Sequence, residues 1–137
     1  MAPDARPFRF LLIGLRRSRE ELYRRSNERT AAMFRAGLPA EVKRLFEAGY
    51  TPADPGLRAI GYREFFAEES GAGETAGRSW RLLEDLAGIE VLAAQNSRRY
   101  AKRQITFFSS LSGVRWIDCG KENNPAREIG EIIEEFF

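Results

Sequence analysis

Residues Phe8–Leu15 (FRFLLIGL) alternate Phe with Arg and then run continuously apolar. That is the pattern of a strand buried on both faces, as in a parallel sheet covered by helices. A buried parallel strand needs neighbours, and the chain supplies one other good candidate, Val114–Asp118 (VRWID). A sheet of two short strands is marginal by itself. The expectation is an α/β chain, predominantly helical, in which two short strands at about 8–15 and 114–118 belong to a parallel sheet whose other strands are missing.

At 137 residues the chain is one domain at most, and 43% hydrophobic with 31% charged residues describes a globular sequence. The net charge of +2 conceals an uneven distribution. Residues 1–66 and 94–116 each carry a surplus of five positive charges, and residues 67–93 and 117–137 each carry a deficit of four. Such alternation suggests a positive face. Only Lys43, Lys102 and Lys121 are lysines among 22 cations, and arginine favours bidentate phosphate contact, although a GC-rich genome gives the same bias. The lone Cys119 excludes an internal disulfide. With no histidine, zinc-site patterns, His-based acid–base chemistry and Ser-His-Asp triads are excluded too. No apolar run approaches a membrane span, and the N-terminus lacks a signal-peptide pattern, so the expected location is cytoplasmic.

Ser18-Arg19-Glu20-Glu21 is a capping box, predicting a helix to about Arg35 that Gly37 ends. Pro39 opens a second helix, Ala40–Ala48, stopping at Gly49, and Tyr50–Gly56 is turn chemistry. Leu57–Glu69 (LRAIGYREFFAEE) reads as a third helix with Gly61 inside it, there either for close approach of a ligand or backbone or for helix packing. Ser70–Ser79 reads as a small-residue loop. Trp80–Phe108 reads as largely helical with a break near Gly88. Lys121–Pro125 is a turn before an amphipathic helix, Ala126–Phe137.

Gln95–Phe108 (QNSRRYAKRQITFF) carries the densest positive charge. Helical spacing pairs Arg98 with Lys102 and Arg99 with Arg103, giving two adjacent cation rows whose repulsion costs a few tenths of a kcal/mol per pair, roughly. A polyanion such as RNA backbone would repay that cost, and a solvated helix face would also account for the pattern. Phosphate loops, dinucleotide-binding turns and metal-ligand clusters are absent from the sequence, and the paired glutamates Glu20/Glu21, Glu68/Glu69 and Glu134/Glu135 diverge on a helix. On residue types alone this is a binding surface without catalytic machinery.

Five blocks then fall in a telling order. They are Leu22-Tyr23-Arg24-Arg25 with Asn27, Arg29 and Met33; Gly37-Leu38 with Glu41-Val42; Leu57 to Phe65 (LRAIGYREF); Asn96 to Thr106 (NSRRYAKRQIT); and Val114 to Asp118. Together they closely resemble the C-terminal part of the tRNA dimethylallyltransferases, also called tRNA isopentenyltransferases. The resemblance covers roughly residues 8–118, with a loop near 70–79 longer than is usual in that family. It implies a P-loop-kinase-like parallel sheet wrapped by helices, of which this chain is a single incomplete domain, 1–137. It also implies an enzyme that moves a dimethylallyl group from dimethylallyl diphosphate to the N6 amine of the adenosine beside the anticodon, position 37 of tRNA. The phosphate loop and the Asp acting as general base lie in the family's N-terminal half, so no catalytic residue is expected here and the 137 residues alone are expected to be inactive.

By the same resemblance, Arg58, Gly61, Tyr62, Arg63, Arg98, Arg99, Lys102, Arg103, Gln104 and Thr106 face tRNA, and Arg25 and Arg29 match positions at the prenyl diphosphate end. Phe107 replaces the family's usual Trp, and Ser109 stands where a basic residue is common. The implied cofactor of the complete enzyme is Mg2+, with no ligand residues visible in this chain. The implied partners are the tRNA anticodon stem-loop, dimethylallyl diphosphate and a separate chain carrying the phosphate-loop half; no membrane partner is expected. The alternative is a non-catalytic RNA-binding module or inactive remnant of that enzyme.

Overall fold

A computed structural model of the chain describes residues 8–69, 78–120 and 123–137. The elements in order are β1 (Leu12–Arg16), α1 (Arg19–Arg35), α2 (Leu38–Glu47), two 3-10 turns (Pro55–Arg58 and Arg63–Phe65), β2 (Phe66–Glu69), β3 (Ser79–Leu82), α3 (Leu86–Ser109), β4 (Val114–Asp118) and α4 (Pro125–Phe136). They divide into two compact units, Tyr23–Lys102 on one side and residues 1–22 with Arg103–Phe137 on the other. No helix among the described residues is long and apolar enough to cross a membrane.

In the terminal unit, β1 and β4 form a parallel pair with Leu12 opposite Val114 and Arg16 opposite Asp118. The strand is therefore shorter than the apolar run suggests and displaced toward its C-terminal end. The reason is its partner: β4 begins at Val114, preceded by Gly113 in the left-handed region (φ 74°), so residues 8–11 have no ladder to join. Phe8 and Phe10, each 69% exposed, instead meet edge to face. Leu12 and Leu15 are also exposed, unlike a strand covered on both faces. At the far end Arg16 donates to both carboxylate oxygens of Asp118, at 2.8 and 3.1 Å. Those hydrogen bonds, opposed by desolvation and helped by the guanidinium charge, hold the Asp118 carboxyl below the usual carboxylate range. Asn124 caps α4 by accepting the Arg127 N–H, and Arg115 reaches Glu135 on α4 at 3.0 Å. The expected turn before α4 falls partly on residues 121–122, outside the described residues.

The central unit holds a core of Leu38, Val42, Leu57, Phe65, Phe66 and Ile89, flanked by Phe34, Leu45, Phe46, Tyr62, Trp80, Leu82 and Leu83. Phe34 of α1 stacks on Phe65 at 5.5 Å, and Phe46 of α2 meets Phe66 edge on at 5.9 Å. At the start of α1, in the terminal unit, Ser18 accepts the Glu21 N–H, as the capping box requires. Gly37 (φ 107°) turns the chain from α1 into α2. After α2 the Tyr50 N–H bonds back to the Leu45 carbonyl around Gly49, a Schellman closure.

Two expectations fail here. Leu57–Glu69 is not a helix: Ala59 is extended, Gly61 sits at φ 101°, and the segment ends as β2. A Cβ on Gly61 would meet nothing within 4 Å, so positive φ rather than close approach or helix packing is what calls for glycine. Residues from Trp80 onward are not helical at first either. Ser79–Leu82 pairs antiparallel with β2, and α3 starts only at Leu86, with Asp85 accepting the Gly88 N–H at 3.0 Å in its first turn. Gly88 thus lies in a capped helix start and not at a break. Most of the expected 70–79 loop, residues 70–77, is outside the described residues.

Gly14 faces Trp116 in the parallel pair, and a Cβ there would fall 2.6 Å from two ring carbons of the indole and 2.8 Å from a Val114 methyl. Gly14→Ala is expected to lower stability by about 1–3 kcal/mol through overpacking. A thermal melt of the variant coincident with the parent would refute this packing.

Candidate nucleic-acid interface

The segment Arg58–Glu64 is built as two tight turns around an extended Ala59. Tyr62 and Arg63 both donate their N–H groups to the Ala59 carbonyl at 3.1 Å, which folds the chain sharply at Gly61. The Glu64 side chain, only 1% exposed, turns back into this fold. Its Oε2 accepts the Gly61 N–H at 2.7 Å, and its Oε1 accepts Asn96 Nδ2 at 2.8 Å and Arg63 Nε at 3.2 Å. A carboxylate is tolerated in such a place only because donors surround it and one of them is charged. Glu64 therefore joins the Arg58–Arg63 turn to α3, across 32 residues of sequence.

Tyr62 is half-buried and donates its hydroxyl to Glu41 Oε1 of α2 at 2.6 Å. That hydrogen bond, then burial and the carboxylate charge, raise the Tyr62 phenol above its ordinary pKa. Arg58 donates Nε and Nη2 to the carbonyls of Pro52 and Ala53 at 2.9 and 2.8 Å, which clamps the preceding turn and holds its own guanidinium still.

On α3 the predicted cations separate. Arg98 is half-buried and donates to Asn27 Oδ1 of α1 at 2.7 Å, so it works as a tie between helices. Arg99 and Lys102 are exposed, and so are Arg103, Gln104 and Thr106 further along the helix, in the terminal unit. Arg25 and Arg29 lie one turn apart on the solvent side of α1. The central unit thus gathers Arg25, Arg29, Arg58, Gly61, Tyr62, Arg63, Arg98, Arg99 and Lys102. Glu41, Glu64 and Asn96 stand in the blocks that carry the resemblance, but sequence reasoning gave them no role at the site. The signal for Glu64 was there: an acid directly after Arg63 and directly before Phe65-Phe66 is a charge entering an apolar stretch.

Comparison with known proteins gives a consistent picture. A family model described as IPP transferase matches residues 2–111. A tRNA dimethylallyltransferase of Desulforudis audaxviator is 39% identical over 128 residues, covering 91% of this chain and 38% of the relative. One from Anoxybacillus flavithermus is 41% identical, covering 89% of this chain and 35% of the relative. Among solved structures, the full-length tRNA isopentenylpyrophosphate transferase of Bacillus halodurans superposes with a TM-score of 0.74 at 28% identity, over 96% of this chain and 40% of that one. The Staphylococcus epidermidis tRNA delta(2)-isopentenylpyrophosphate transferase gives 0.69 at 31% identity, over 92% of this chain and 37% of that one. The chain spans about two-fifths of the length of these proteins.

Two measurements check the geometry. Glu64→Gln keeps the shape but sets an amide N–H against either the Gly61 N–H or the Asn96 amide. It should cost about 1–3 kcal/mol for the buried donor left unsatisfied, and a variant as stable as the parent by urea titration would disprove the tie. Tyr62 holds its proton more tightly folded than unfolded. Its contribution is therefore complete below pH about 10 and is lost as pH rises through the folded-state value. An absorbance titration should show one tyrosine ionising late, and Tyr62→Phe should remove that late transition. Loss of an ordinary ionisation in place of the late one would contradict the Tyr62–Glu41 bond.

Proposed function

The chain belongs to the IPP transferase family, and from that membership we propose that it forms the tRNA-holding part of a tRNA dimethylallyltransferase. The supporting observation is the Glu64 tie, because within one compact unit it bonds the Arg58–Arg63 turn to Asn96 in the first half of α3. In this reading Arg58, Arg63, Arg99, Lys102 and Arg103 neutralise phosphates of the anticodon stem-loop, which sets affinity and its salt dependence. Arg98 contributes mainly by holding α3 to α1. Gly61 shapes the turn that presents Tyr62 for stacking or hydrogen bonding, and Gln104 and Thr106 reach base edges.

The reaction served is transfer of a dimethylallyl group from dimethylallyl diphosphate to the N6 amine of the adenosine beside the anticodon. That base must leave its stack to be reached. Arg25 and Arg29 lie toward the diphosphate. The phosphate loop and general base come from the remaining part of the enzyme, whether in the same polypeptide or in a separate chain completing one domain. Mg2+ belongs to the expected chemistry of the family. Among the described residues no group of three or more His, Cys, Asp or Glu is placed to hold a metal ion, and no step is assigned to it.

Charge reversal at Arg99, Lys102 and Arg103 tests the reading without disturbing the Arg98 tie. Binding to an anticodon stem-loop RNA should weaken at least tenfold at low salt, and the slope of log affinity against log salt should fall by roughly one per lost contact. Absence of binding at low salt, or affinity indifferent to the reversal, would overturn it.

A further inference from the structure

β2 and β3 form an antiparallel hairpin to which nothing above gives a role. Its register sets Phe66 opposite Leu82 and Glu68 opposite Trp80, so Trp80 and Leu82 share the face that packs on the core. Trp80 is only half-buried there. Together with Arg78 it closes one side of an open cleft of about 580 Å³ whose remaining lining is Pro52, Ala53, Arg58 and Arg63. That volume lies within the range of small-ligand sites. Three guanidinium groups and one indole line the cleft, and among the described residues no carboxylate does.

The bonds that position the arginines among the described residues leave part of each guanidinium over. Arg58 is fixed by the Pro52 and Ala53 carbonyls. Arg63 uses Nε toward Glu64, and Arg78, 80% exposed, uses Nε toward Glu68 at 3.3 Å, so the Nη groups of both stay outside these bonds. A planar guanidinium presents those N–H groups in the fork that suits a phosphate. An indole packed on a core on one side and lining a cleft on another is a stiff platform for a flat base.

Resting on the RNA-holding reading above, we propose that this cleft takes one unpaired nucleotide of the bound RNA, with its base against Trp80 and its phosphate on Arg63 and Arg78. Arg78 and Trp80 of the hairpin thereby extend the RNA contacts of the Arg58–Arg63 turn with an indole platform. Stacking accepts any base, so the cleft senses unpaired structure rather than sequence. A duplex, whose bases are stacked within the helix, cannot use Trp80.

The test uses the whole 137-residue chain with two RNAs, an anticodon stem-loop and a blunt duplex of the same stem. Arg78→Glu and Trp80→Ala should each weaken stem-loop binding about tenfold while duplex binding changes less, and Trp80→Phe should restore most of the stem-loop affinity. With Trp116→Phe removing the other indole, the remaining tryptophan emission should be quenched by the stem-loop and not by the duplex. Because Trp80 also packs on the core, exposed Arg78 and the emission measurement carry the test if Trp80→Ala melts early. A parent chain that binds neither RNA overturns the RNA-holding reading and the cleft with it. A parent that binds the stem-loop, with Arg78→Glu unchanged and emission unquenched, overturns the cleft alone. Equal losses on both RNAs would show a plain charged surface and likewise overturn it.

Discussion

A single buried carboxylate governs the central unit. In an α-helix through Leu57–Glu69 the Gly61 N–H would bond to the Leu57 carbonyl. Here it bonds to Glu64 Oε2 instead, and the backbone at Gly61 takes a positive φ that a helix cannot contain. The broken backbone and the buried acid require each other. Burial of Glu64 without the Gly61 and Asn96 donors would leave a desolvated charge, and those donors without Glu64 would be orphaned. The same coupling fixes where Arg58, Tyr62 and Arg63 emerge, so the candidate interface depends on a residue that does not itself face solvent.

The other attachments of this surface follow one logic. Tyr62 is pinned to α2 by Glu41, Arg58 to the preceding turn by two carbonyls, and α3 to α1 by Arg98 and Asn27. Each polar bond ends on a different element, which makes the surface a rigid array rather than a set of independent side chains. Rigidity matters for an RNA grip because ordering long arginine side chains at the moment of binding costs conformational entropy. The terminal unit is tied in its own way, by Arg9 to the Phe136 carbonyl, Arg115 to Glu135 and Asn123 to the Asp118 carbonyl. Its parallel pair is closed mainly at one end, by Arg16 and Asp118, and leaves Phe8, Phe10, Leu12 and Leu15 exposed.

Legibility in the sequence divided along physical lines. The first two helices, the β4 strand and the final helix were readable because capping residues, glycine stops and periodic apolar residues act over a few positions. The parallel nature of the β1–β4 pair was readable from the doubly apolar run of β1. The 57–69 segment misled because its composition suits a helix, and the deciding contact, Asn96 to Glu64, lies 32 residues away. The β2–β3 hairpin misled for a related reason: FAEE and SWRL are too short to show a period, and pairing alone makes them strands. The cations of α3 were legible as a dense run, but their division into a tie at Arg98 and exposed groups at Arg99 and Lys102 was not.

By itself the sequence determined the class of chain, the order of its blocks and the kinship those blocks declare, because these depend on residue identity and spacing. It also determined that the charge on α3 is dense and largely arginine. Only the tertiary structure decided that Arg98 is spent between helices while Arg99 and Lys102 face solvent, and that Gly61 serves a turn. Only it set Arg78 and Trp80 beside Arg58 and Arg63. Local propensities are worth tenths of a kcal/mol per residue, roughly, whereas satisfying a buried carboxylate and filling a core are worth several, so the long-range terms choose among the backbones that local chemistry permits.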